Sequence, residues 1–182
     1  MKKLLAVLSV ACCATVAAWA EDKADCLKEG EAVKAFYVTD VTGPSAGEKL
    51  CYRCKYGSRP VVSIFTKQMN DKVAKLTKNI DDQVGANKDA KMAAFVVVLT
   101  EDPEGQNDAL KTVASTQKIA NTPITTFDGL SGPPEYKIAK DADTTIMMWV
   151  DGKVKVNESL KASELTEEKI AALTKSTSKI LN

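Results

Sequence analysis

Two nearly continuous apolar runs, Pro60-Val61-Val62-Ser63-Ile64-Phe65 and Ala93 to Leu99, most constrain what this chain can fold into. Both are short, rich in β-branched residues and apolar at almost every step, the pattern of a strand buried on both faces. After the first run, Met69, Val73, Leu76 and Ile80 recur at helical spacing and make one apolar stripe. Asp102-Pro103-Glu104-Gly105 breaks the second run, and Ala109, Leu110, Val113 and Ala114 predict another helix. Pro123 to Phe127 reads as a third strand, Asp128 to Pro134 as a Gly/Pro-rich loop, and Tyr136 to Ala139 as one short helical turn. Thr144 to Val150 and Lys153 to Asn157 flank Asp151-Gly152, a strong two-residue hairpin signal. Ser163 or Thr166 then caps a last helix with stripe Leu165, Ile170, Leu173, Ile180, and Glu167 and Glu168 suit its positive end.

Upstream, Phe36, Val38 and Val41 predict a first extended segment that ends at the turn Thr42-Gly43-Pro44-Ser45. Glu48 to Arg59 is expected to be a linker, and the polar stretch from Glu21 a loose lead-in over 21–35. The order β-α-β-α-β, hairpin, α makes residues 36–182 one α/β domain, a central mixed sheet flanked by helices on both faces.

The first twenty residues read as a signal peptide. Lys2 and Lys3 form a basic start, Leu4 to Ala18 an apolar stretch, and Ala18-Trp19-Ala20 a small-residue cleavage site, with cleavage expected after Ala20. The stretch is short for a membrane span of ~20 residues. Cys12 follows Val10-Ala11, but Ser9 departs from a lipidation motif, so lipidation at Cys12 is not the preferred reading. No second apolar span follows, and the expected product is soluble in the periplasm or outside the cell.

Of the 25 basic residues, removing Lys2 and Lys3 leaves 23 against 24 acidic ones, with no basic stripe; nucleic acid is not an expected partner. Histidine is absent, which excludes Ser-His-Asp and Cys-His hydrolases in their usual form and any His-ligated zinc or haem. No cofactor is expected.

The remaining chemistry lies in Cys51-Tyr52-Arg53-Cys54, with Lys49, Arg53, Lys55 and Arg59 around it. A C-x-x-C serves as a redox dithiol, as a plain bridge, or as half of a metal site. All three readings stand at this point, with Cys26 the only further sulfur available after cleavage; it could pair, bridge to another chain or stay free. The close carboxylates Glu101-Asp102 and Asp141 with Asp143 read as solvated loop acids, and Met147-Met148-Trp149 as core.

The layout from Phe36 to Leu181 resembles the thioredoxin-like superfamily, and the turn before Pro60 looks most like peroxiredoxin-like and exported thiol-disulfide members. That resemblance implies a thioredoxin-like fold and a protein thiol or disulfide as partner. It also implies a cysteine just after the first core strand, where this chain has Thr66-Lys67-Gln68-Met69, and a proline before the hairpin, where it has Asp141-Ala142-Asp143-Thr144-Thr145. Neither is present. The C-x-x-C stands upstream of that strand and is expected near its opposite end. The sequence therefore favours an exported thiol-disulfide role through Cys51 and Cys54, with Cys51 the attacking sulfur by analogy. The alternative is a binding or scaffold module with a structural disulfide or a cysteine-based metal site.

Overall fold

The computed structural model describes residues 26–181. The leader reading and Cys12 lie outside them. The elements run β1 (Val38–Asp40), β2 (Lys49–Leu50), α1 (Tyr52–Tyr56), β3 (Val61–Thr66), α2 (Asp71–Ala86), β4 (Ala93–Thr100), α3 (Asn107–Gln117) and β5 (Ile124–Asp128). A 3₁₀ turn (Pro134–Tyr136) precedes β6 (Thr144–Val150), β7 (Lys153–Leu160), α4 (Glu167–Lys175) and α5 (Ser178–Leu181). The strands form one mixed sheet in the order β2-β1-β5-β4-β3-β6-β7, with β3, β4 and β5 parallel at its centre.

The two central apolar runs are β3 and β4, and their period-2 alternation divides the core. Val62, Ile64, Ala94, Val96 and Val98 face one side with Leu76, Ile80, Leu110, Leu173 and Ile180. Val61, Phe65, Phe95, Val97 and Leu99 face the other. The crossovers β3-α2-β4 and β4-α3-β5 step the same way across the sheet, so right-handed connections put both helices on one face. The helices are therefore unevenly shared: α2 to α5 cover the first face, while α1 and the 3₁₀ turn cover the second.

Aromatic rings fill the second face. All four Phe, three of the four Tyr and Trp149 gather there, with Phe36 within 4.7–6.4 Å of the Phe65, Phe95, Phe127 and Tyr136 ring centres. The stretch expected to be a loose lead-in contributes to this cover. Leu27 and Val33 are buried, and the chain between them runs along β7, with the Gly30 N–H donating to Val154 O and the Val33 N–H to Gly152 O. Its polar composition hid this because only one residue in several has to reach the core. The predicted linker 48–59 also carries structure, namely β2 and α1.

The hairpin forms where Asp151-Gly152 predicts it, and both residues adopt positive φ, 54° and 69°. A Cβ at Gly152 would lie 2.5 Å from Arg53 Nη2. Gly152→Ala should therefore cost about 1–2 kcal/mol, from backbone strain and displacement of Arg53. Urea unfolding measures it; an unchanged midpoint would show that neither constraint matters.

Candidate functional site at Cys51 and Cys54

The site is built from Asp40 upward. Asp40 ends β1 and is 1 % exposed, so its carboxylate must be satisfied inside the protein. The N–H groups of Gly43 and Ser45 donate to it at 2.8 and 2.9 Å, and the Tyr52 hydroxyl donates at 2.8 Å. Tyr52 stacks on Phe95, with ring centres 5.4 Å apart, and Tyr56 one turn later packs on both rings. These anchors hold the five-residue α1 over the second face. Gly57, at φ 60°, closes the helix with its N–H donating to Arg53 O.

Cys51 is the N-cap of α1, and the Cys54 N–H donates to its Sγ at 3.0 Å. The two cysteines form a disulfide with Cα atoms 5.2 Å apart. They differ in access: Cys51 is 7 % exposed, whereas Cys54 is exposed. Arg53 is held by two backbone carbonyls, Val33 O and Gly57 O, both at 3.3 Å. Lys55 Nζ lies 5.5 Å from the centre of the Tyr52 ring. Lys49, Lys55 and Arg59 are exposed, so the positive flank read from the sequence faces solvent around the pair.

Cys51 follows β2 at the sheet edge, and the segment that carries the pair leads on through Ser58 into the start of β3, the end of that strand expected from the sequence. The Ser58 carbonyl accepts from the Asp151 N–H at the hairpin tip, and Arg53 packs against Gly152. At the other end of β3, about 17–20 Å along the strand, lies the place where the thioredoxin-like pattern puts its cysteine. That place is closed by ordinary pairing. The Lys67 N–H donates to Asp143 O at 3.0 Å, Thr66 and Thr144 hydroxyls are 3.3 Å apart, and Asn70 caps α2 through the Val73 N–H. All peptide bonds among the described residues are trans.

Cys26 is a free thiol and is not brought to the pair. Asn157 Nδ2 donates to Leu27 O, which fixes that end of the segment about 16 Å along β7 from Gly152 and Arg53. The stretch expected to be a loose lead-in is tied along the sheet from Leu27 to Val33. Among the described residues, no group of three or more Cys, Asp or Glu could hold a metal ion. Asp102 and Asp143 accept backbone N–H groups of Gly105 and Ala162, local turn roles. Met147, Met148 and Trp149 are core.

A cavity of about 450 Å³ lies beside α1, lined by Thr42 to Pro44, Tyr52, Lys55, Tyr56 and Ile119 to Pro123. At 100° per residue, Cys54 projects from the helix face opposite Tyr52 and so away from this cavity. Sequence reasoning did not single out Asp40, Tyr52 or Tyr56. Their signals were an Asp three residues before Gly43 and two tyrosines spaced by four.

Burial pushes the phenols of Tyr52, Tyr56 and Tyr136 well above their ordinary range; for Tyr52 the bond to Asp40 adds to the effect. These groups stay neutral in the folded protein at a pH where the unfolded chain ionises them. Their contribution is therefore complete below about pH 10 and is lost as pH rises above it. Tyr52→Phe should cost about 1–2 kcal/mol at pH 7 by leaving Asp40 one donor short, yet lose less stability than the parent above pH 10. Urea midpoints across that range check both halves; parallel alkaline losses would clear Tyr52.

No protein-family model matches the sequence, and no characterised relative matches it either. Solved structures do resemble it. One is a candidate protein disulfide isomerase from Bacteroides thetaiotaomicron, at TM-score 0.63 and 16 % identity over 85 % of this chain and 91 % of that one. A peroxidoxin from Mycobacterium tuberculosis aligns at TM-score 0.60 and 16 % identity, covering 83 % and 96 %. The thioredoxin domain of a thiol-disulfide oxidoreductase from Bacteroides vulgatus aligns at 0.57 and 16 %, covering 81 % and 99 %. At these identities the likeness is one of fold, and the fold of this chain is thioredoxin-like.

Proposed function

We propose that this chain is an exported thiol-disulfide exchange protein whose working centre is the Cys51–Cys54 pair. The observation that carries the reading is the unequal bridge, with one cysteine presented to solvent and the other buried under an N–H donor. A partner dithiol would reduce it in two steps. One partner thiolate attacks the bridge, the Cys51–Cys54 bond breaks and a mixed disulfide forms. The second partner thiolate then attacks that mixed disulfide, so the partner leaves oxidised and both cysteines end as thiols after proton uptake. Two electrons move, and the reverse sequence oxidises the pair.

The loop size supports exchange over a structural role. Cysteines three residues apart close so short a loop that the entropic gain is only about 2 kcal/mol, near the low end for disulfides. Export is supported by Lys2 and Lys3, the apolar stretch and Ala18-Trp19-Ala20, and it suits a compartment where disulfides persist. Among the described residues no helix is long and apolar enough to cross a membrane. N-terminal sequencing of secreted protein should find Glu21 first.

The deciding measurement is the reduction potential of the pair in a Cys26→Ser variant. A value between about −270 and −120 mV is expected; one below about −300 mV would mark a structural bridge and overturn the proposal. The reduced pair should also react faster with oxidised glutathione, which is anionic, than with cystamine, which is cationic. Added salt should narrow that gap by screening the exposed lysines and Arg59. A cystamine preference would show that this flank does not guide partners.

A further inference from the structure

We propose that the polarity of the pair is inverted, so that Cys54 is the sulfur attacked by partners and joined to them, and Cys51 is the buried resolving thiol. The inference rests on the exchange reading above and assigns the roles within it. By analogy with the thioredoxin-like superfamily the first cysteine of the motif would attack. Here the fold turns that cysteine inward.

Three observations set the direction. Cys51 directly follows β2, whose Leu50 is paired with Val38, so its backbone is still held at the sheet edge. Its carbonyl accepts the Lys55 N–H, and the residue is 7 % exposed. Cys54 lies 200° around α1 from the buried Tyr52 and is exposed. A thiolate must come up behind the sulfur it attacks, in line with the bond that breaks, and the exposed Cys54 is the more accessible residue for that approach.

The hydrogen bond to Cys51 Sγ acts in the same direction. When an incoming thiolate bonds to Cys54 Sγ, the S–S bond breaks and its electron pair goes to Cys51 Sγ. That sulfur already accepts the Cys54 N–H at 3.0 Å, and a thiolate accepts such a bond more strongly than a disulfide sulfur does. Cys51 is thus the better leaving group, because stabilising the departing thiolate speeds exchange. In the oxidising direction Cys54 thiolate attacks the partner disulfide and one partner thiolate departs. Cys51 thiolate then attacks Cys54 Sγ, which re-forms the bridge and releases the second partner thiolate.

Tryptic cleavage reads the answer directly, since Arg53 separates the cysteines: Leu50–Arg53 carries Cys51 and Cys54–Lys55 carries Cys54. The oxidised full-length protein, with Cys12, Cys13 and Cys26 replaced by Ser, is mixed with excess reduced glutathione. Acid quenching within the first turnover, alkylation and mass spectrometry then locate the glutathione. We expect it on Cys54 over Cys51 by about tenfold or more. An even distribution, or an excess on Cys51, would overturn the assignment. A second measurement uses the reduced single-cysteine chains. Cys51→Ser, which keeps Cys54, should be alkylated by iodoacetamide about tenfold faster than Cys54→Ser, because exposure outweighs the larger thiolate fraction that the N–H donor gives Cys51, and the reverse order would also overturn it. The glutathione position is readable whatever the reduction potential, because excess thiol drives the first attack. A very negative potential would therefore remove the exchange function while leaving the direction of attack measured.

Discussion

A buried carboxylate organises this end of the protein. Asp40 is almost fully buried, and an unpaired charge there would be too costly to keep. Satisfying it takes the backbone of the turn after β1 and the hydroxyl of Tyr52. The first draws Gly43 so close that any side chain at that position would collide with Asp40 and Tyr52. The second fixes the rotation of α1. Once Tyr52 points at Asp40 and stacks on Phe95, the positions of Cys51 and Cys54 follow from the helix geometry. The access difference between the two sulfurs is thus a consequence of where a tyrosine hydroxyl finds its acceptor.

The uneven shape of the layers explains why such an arrangement is needed. With β3-α2-β4-α3-β5 stepping in one direction, handedness places the long helices on a single face. The other face of a largely apolar sheet centre still has to be covered, and only short pieces of chain are available. Aromatic side chains supply the most buried area per residue ordered. Phe36, Tyr52, Tyr56 and Tyr136 arrive from three such pieces and meet over Phe65 and Phe95. The cysteines belong to one of those pieces, which ties their placement to the core rather than to a mobile loop.

Much of this was legible in the residues. β3, β4, α2 and the hairpin follow from apolar periodicity and from one Asp-Gly pair, because each is a local pattern that burial reinforces. Thr166 caps α4 through the Lys169 N–H as its residue type allows. The missing cysteine at Thr66–Met69 and the missing proline at Asp141–Thr145 were also visible as plain absences. What stayed hidden is non-local. Nothing near Leu27 or Val33 announces that the segment lies along β7. A single five-residue helix lacks the length for an apolar stripe, so α1 read as linker. The Asp40–Tyr52 bond joins residues twelve apart that share no periodicity.

The exchange chemistry of a dithiol asks for little: an accessible sulfur, a stabilised leaving sulfur and a nearby positive charge. A long helix after the first core strand is one way to provide these, since its start can stabilise a thiolate. In the proposed role, the Cys51–Cys54 pair would meet the same needs differently. The amide of Cys54 faces Cys51 Sγ, lysines stand exposed around the motif, and Cys51 is buried while Cys54 is exposed. The other end of β3 carries Thr66-Lys67-Gln68-Met69, with no thiol to compete. On this physical reading, the chain order of the two cysteines does not decide which one attacks. What decides it is which side of α1 the core claims, and here the core claims Tyr52 and, beside it, Cys51.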